Sequence, residues 1–246
     1  MEQRERVLIV SVQTTQTDED FAYANRELAQ LVDTAMGEVV ATVTQKRESI
    51  SGRTLVGKGK VEEISHLVDE LEVDLVVFYQ SLTGSMVKNL NESINCRIID
   101  RVQLILDIFA MRARSKEGKL QVQLAQLNYL LPRLSGQREG LSRQGGGIGT
   151  RGPGETRLET DRRYIRKQIQ DIEEQLEQIK KHRERSREKR KSSNGFQLGL
   201  IGYTNAGKST ILNQLTHAGT YQMDQLFATL DPLTRQVDLF PNFDVT

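Results

Sequence analysis

LGLIGYTNAGKSTILNQL, Leu198 to Leu215, decides how the carboxy-terminal part of this chain is read. Gly202 to Ser209 satisfies G-x-x-x-x-G-K-[ST] at every fixed position. The apolar run Leu198 to Ile201 before it predicts a strand, and Ile211, Leu212 and Leu215 after it predict an amphipathic helix. Strand, glycine-rich turn and helix are the context in which this motif forms a phosphate-binding loop, and a chance lysine in a glycine turn would need neither flank. In such a loop the backbone N–H groups of Gly202, Tyr203, Thr204, Asn205, Ala206 and Gly207 curl around phosphate oxygens. The helix starting near Lys208, Ser209 and Thr210 adds its positive end. Lys208 is expected to reach the outer phosphates and the Ser209 hydroxyl to ligate Mg²⁺.

Working outward, 246 residues hold one or two domains, and 37% apolar content supports a core. The 27% charged content and a mean hydropathy of −0.49 suggest solvated helices beside it. A net charge of +1 averages over uneven segments. The single cysteine, Cys96, excludes an internal disulfide and a cysteine-rich zinc site. It suits a reducing compartment, and no apolar run reaches the length of a membrane span. The expectation is a cytoplasmic, monomeric protein. None of His66, His182 and His217 has a partner at metal-ligand spacing.

The first hundred residues alternate between two periods. VLIVSV (7–12), EVVATVTQ (38–45), DLVVFYQ (74–80) and CRIID (96–100) are short β-branched runs. Helical patterns lie between them at 21–35, 61–71 and 86–94. This predicts a β-α-β-α-β-α-β subdomain over 1–100, a small parallel sheet with helices on its faces. The stretch 46–60 has no apolar period and is expected to be a mobile loop. Its GKGK (57–60) places Gly57 and Gly59 before a helix, a position that suits an anion or a plain helix entry, and lacks the phosphate-loop spacing.

From Arg101 the apolar spacing changes to threes and fours: Val102, Ile105, Phe109 and Ala113, then Leu120, Leu124, Leu127 and Leu131, with Lys116 breaking the series and Pro132 ending it. Leu158, Ile165, Ile169, Ile172, Leu176 and Ile179 form a second, densely charged series. Two such helices with narrow stripes predict an antiparallel hairpin over 101–192. Its tip, Pro132 to Arg157, holds eight glycines and five arginines, which leaves no means of forming a core. A plain linker fits that composition. So does a nucleic-acid probe, in which Arg133, Arg138, Arg143, Arg151 and Arg157 contact phosphates and unpaired bases of RNA. No aromatic residue lies in the tip, which favours backbone and shape recognition over base readout. KKHRERSREKRK (180–191) is either a solvated helix end or a salt-sensitive hold on nucleic acid.

Three stretches carry a family resemblance. GGGIGTRGPGETRLETDRRYIRKQI (145–169), GKGKVEEI (57–64), and the pair GYTNAGKST (202–210) with FATLDPLTR (227–235) resemble the signatures of the HflX GTPases. The resemblance implies a translation-related GTPase that uses GTP/GDP and Mg²⁺, binds the large ribosomal subunit through ribosomal RNA, and splits stalled ribosomes. It also implies that Phe227, Ala228, Thr229, Leu230 and Asp231 form the first switch segment, Thr229 sensing Mg²⁺ and the γ-phosphate. Asn205 stands where some members hold a potassium ion. The expected fold class is therefore α/β: the small parallel sheet, the long antiparallel helical hairpin, then the start of a P-loop GTPase α/β domain over 193–246.

After Pro232, TRQVDLF, Pro241-Asn242 and FDVT predict a strand hairpin. The D-x-x-G and N-K-x-D motifs that this family places further along are not in the sequence, so the GTPase domain is expected to be incomplete and this chain inactive in hydrolysis. Two other classes stay open: an RNA- or ribosome-binding module without catalysis, and an ATP-dependent RNA-remodelling enzyme, because the phosphate loop alone does not tell ATP from GTP.

Overall fold

A computed structural model describes the backbone of residues 4–136, 153–191, 198–202, 206–216, 237–240 and 243–245. It divides into two compact units, Met1–Ile108 with Ala125–Ile169, and Phe109–Leu124 with Gln170–Thr246.

In the first unit, β1 (Glu5–Gln13), β2 (Gly37–Lys46), β3 (Leu75–Phe78) and β4 (Arg97–Asp100) form one parallel sheet in the order β2-β1-β3-β4. A parallel sheet covered on both faces needs continuous apolar strands. β1 supplies one: Val7, Leu8, Ile9, Val10 and Val12 are each at most 1% exposed. The crossovers are α1 (Asp18–Thr34), α2 (Lys58–Glu70) and α3 (Gly84–Asn91). Thr17 caps α1 by accepting from the Asp20 N–H, and Thr83 caps α3 by accepting from the Met86 N–H. At the β1/β3 crevice the Gln80 carboxamide accepts from the Val12 N–H and donates to the Val12 carbonyl, continuing the ladder with a side chain.

The stretch 46–60 is not the mobile loop that its composition suggests. Leu55 and Val56 are each 1% exposed and belong to the core cluster, Ser51 and Leu55 exchange backbone hydrogen bonds, and Asn89 Nδ2 holds the Arg53 carbonyl. Two apolar residues in a polar run have no period to reveal them, yet they plug one face of the sheet.

Where one helix was expected over 101–131 there are two, α4 (Arg101–Arg112) and α5 (Lys116–Gly136). The break lies at 113–115 and Lys116 starts α5, whose entry Ser115 Oγ caps by accepting from the Gly118 N–H at 2.8 Å. Pro132 does not end α5, which runs four residues past it. α6 (Pro153–Lys191) is 39 residues long, about 58 Å at the usual rise. Pro153 at its first position gives up no helical hydrogen bond.

In the second unit, Arg183 of α6 is paired with Glu117 of α5 at 2.8 Å, and Val122 and Ile172 are buried. The start of one helix thus meets the far part of the other, as an antiparallel hairpin requires. The same unit holds α7 (Lys208–Thr216) and the antiparallel hairpin of β5 (Val237–Phe240) and β6 (Phe243–Val245). That hairpin matches its sequence signal. The expected strand at 198–201 does not: these residues are in no regular element, and Leu198, Leu200 and Ile201 are 60%, 41% and 99% exposed. A strand exists only through its ladder, and no described strand runs beside this one. No helix among the described residues is long and apolar enough to cross a membrane.

Candidate functional site

The turn between residue 202 and α7 has the backbone that a phosphate loop requires at the points described. Gly207 has φ +77°, a left-handed conformation open to glycine at little cost, and its carbonyl accepts the first helical bond from the Ile211 N–H at 3.0 Å. Lys208 begins α7 and curls back, its Nζ donating to the Gly202 carbonyl at 2.8 Å. The lysine side chain is thereby held across the turn. Ser209 and Thr210 follow in the first helical turn, where a hydroxyl stands beside the same helix end. Ala206 and Gly207 are exposed, and a Cβ placed on Gly207 would meet only open space.

Tyr203, Thr204 and Asn205 lie outside the described residues, as do Phe227, Ala228, Thr229, Leu230 and Asp231. Among the arginines of the expected tip, Arg138, Arg143 and Arg151 also lie outside them, and Arg157 is described only as backbone within α6.

Arg133 is placed, and its partners are internal. Its Nη2 donates to Asp100 Oδ2 at 3.1 Å, its Nη1 to the Tyr129 carbonyl at 2.9 Å, and its guanidinium stacks on the Tyr129 ring at 3.3 Å. Asp100 closes β4, and its side chain is wholly buried. It also accepts the Leu82 N–H at 2.9 Å and the Gln103 N–H at 3.0 Å. Burial and the Asp100 carboxylate both push the Tyr129 hydroxyl well above the usual phenol range. Arg133 thus differs from the RNA-facing role that its place in the arginine series suggests: its charge neutralises a buried carboxylate. The acid at the end of the buried run RIID was the available sequence signal for this site, since an acid there has to find donors.

A cavity of about 250 Å³ adjoins this network, walled by α3, β4, α4 and α5. Asp107 lies on its wall, half-buried, with Gln126 Nε2 at 3.4 Å; burial raises its carboxyl above the usual range, and the Gln126 contact opposes that. No group of three or more metal-ligating side chains exists among the described residues.

Three family descriptions match successive stretches: "GTP-binding GTPase N-terminal" over 23–110, "GTP-binding GTPase Middle Region" over 112–190, and "50S ribosome-binding GTPase" over 197–245. The GTPase HflX of Alkalihalophilus pseudofirmus is 60% identical over 241 residues, covering 98% of this chain and 57% of that protein. The chain belongs to the HflX GTPase family. The HflX of Escherichia coli is 46% identical over 235 residues, covering 96% of this chain and 55% of its own length. This chain therefore spans little more than half the length of the HflX relatives it matches. Among solved structures, that of SsGBP with GDP aligns at a TM-score of 0.54 and 23% identity, over 98% of this chain and 60% of that one. At that identity the likeness concerns the fold alone.

Proposed function

We propose that this chain is the front part of an HflX-type GTPase that acts on the large ribosomal subunit and splits stalled ribosomes. The observation that carries the nucleotide half is Lys208, held at the first turn of α7 with its Nζ on the Gly202 carbonyl, within the stretch that matches a 50S ribosome-binding GTPase. Gly202 to Gly207 would receive the phosphates through backbone N–H groups, and Lys208 would exchange Gly202 for a phosphate oxygen. Ser209 and Thr229 would hold Mg²⁺, which when bound neutralises phosphate charge. Residues 227–231, ordered with GTP and released after hydrolysis, would report the nucleotide state. Arg138, Arg143, Arg151 and Arg157, on and beside the segment between α5 and α6, would contact ribosomal RNA through its backbone. The groups that position an attacking water would come from outside these 246 residues.

One observation favours a second reading, in which the chain by itself binds ribosomes without hydrolysis: the apolar residues before the phosphate loop, Leu198, Leu200 and Ile201, are exposed. One experiment tests both. Lys208→Ala in the full-length protein should weaken fluorescent GDP binding by about tenfold or more while nucleotide-free cosedimentation with purified large subunits stays unchanged. Equal losses in both assays would overturn this division of labour. Nucleotide-insensitive cosedimentation of the 246-residue chain would support the second reading for the chain alone.

A further inference from the structure

The root of α5 is built more firmly than a helix end that merely carries a linker requires. Three donors converge on Asp100: two backbone N–H groups, from Leu82 and Gln103, and the Arg133 guanidinium, which stacks on the Tyr129 ring. Tyr129 and Arg133 sit one helical turn apart on α5, and the ring beneath the guanidinium keeps its fork in plane. A third element closes the joint. A Cβ on Gly84, the first residue of α3, would come within 2.2 Å of the Arg133 carbonyl oxygen, so the two backbones are in direct contact there. Pro132 stands inside the joint; it cannot donate to the Asn128 carbonyl, and helices usually stop or bend at such a residue. Here the turn after Pro132 persists, and Arg133 links it to the sheet.

We propose that Asp100, Tyr129 and Arg133, closed by Gly84, form a clamp that fixes the end of α5 on the sheet, and with it the root of the arginine- and glycine-rich sequence that follows. Arg133 is then a positioning residue for ribosomal RNA binding, not a contact residue. The inference rests on the reading of that segment as the RNA probe. Glycine-rich sequence gives up more conformational freedom on ordering than other sequence does, and a fixed point of departure lowers that loss. The arginines beyond the clamp gain from a root that does not move.

Two variants break the joint from different sides. Asp100→Asn removes a charge that is wholly buried and cannot touch RNA; Gly84→Ala drives the α3 and α5 backbones apart without changing any charge. Each is made in the full 246-residue chain and measured by cosedimentation with purified large ribosomal subunits across a salt series, beside Arg143→Ala/Arg151→Ala/Arg157→Ala. Hydrogen exchange of β1 and β3 amides confirms that the sheet remains folded in each. The clamp predicts that both variants weaken binding by roughly tenfold with the salt slope unchanged, because no phosphate contact is lost. Arg133→Lys, which keeps the charge but loses the fork and the stack, should weaken it similarly.

If Arg133 instead touched phosphate, Asp100→Asn would leave binding unchanged or strengthen it by removing a nearby negative charge. Arg133→Lys would then be nearly neutral, and Arg133→Met would lower the salt slope by about one. Those results overturn the clamp. Weakened binding by the triple-arginine variant with no effect of either clamp variant overturns the clamp alone. No effect of the triple-arginine variant overturns both the probe reading and this inference.

Discussion

β1 and the stretch before the phosphate loop are built from similar residues and meet opposite fates. Val7 to Val12 is an apolar run ahead of a helix, and so is Leu198 to Ile201. β1 has a parallel neighbour on each side, α1 packs near it, and Ile9 is fully buried. Ile201 is 99% exposed, and its stretch belongs to no sheet. Local preference for extended backbone is the same in both, so it cannot be what distinguishes them. Ladder partners and a covered face do: burial of a leucine- or isoleucine-sized side chain contributes about 1.5–3 kcal/mol, and an unpaired strand gains none of it. Within the chain, a strand-like sequence is an offer of pairing that only a neighbour completes.

The largest effect should come from the buried side of this comparison. Ile9→Ala opens a cavity in the middle strand of the sheet and should lower stability by about 2–5 kcal/mol in urea unfolding followed through the sheet unit. A loss under about 1 kcal/mol would mean that the sheet relaxes around the hole, and the contrast with Ile201 would shrink to one of exposure without energy.

A smaller and opposite effect is expected at the edge of the same unit, where burial works against a residue. Asp107 is half-buried and burial raises its carboxyl, so the folded state holds its proton to higher pH than the unfolded chain does. Between the ordinary aspartate pKa and the raised one, the folded state binds more protons. Stability contributed by this group is therefore complete at low pH and declines as pH rises through the raised value. Asp107→Asn should then be slightly more stable than the parent at neutral pH, and the gain should vanish in unfolding experiments below the usual aspartate range. A gain that persists at low pH would assign the effect to packing against Gln126 rather than to charge.

How much of this was legible in the sequence follows the same division. The four strands of the sheet could be read because β-branched runs and helical periods alternate over short distances. Leu55 and Val56 were not legible as core, since two apolar residues in a polar turn have no period. The continuation of α5 past Pro132 was hidden for a related reason. The residues that hold it, Asp100 and Gly84, are 33 and about 50 positions from Arg133, and nothing local to α5 announces them. The strand before the phosphate loop was read from propensity, which is half of what a strand needs.

The smallest expected effect is the one that tests that last point. Ile201→Ser in this chain should change stability by no more than about 0.5 kcal/mol, because a side chain already in water loses almost nothing when its apolar surface is removed. The measurement is urea unfolding of the parent and variant, with hydrogen exchange of the 198–202 amides alongside. A loss above about 1 kcal/mol would mean that Ile201 is covered in solution and that the run pairs as its sequence offers. Protected amides without a loss of stability would separate the two requirements, a ladder formed with its face still open. In either case the contrast with Ile9 would move from exposure to pairing, and the extended run before Lys208 would be a strand in its own right.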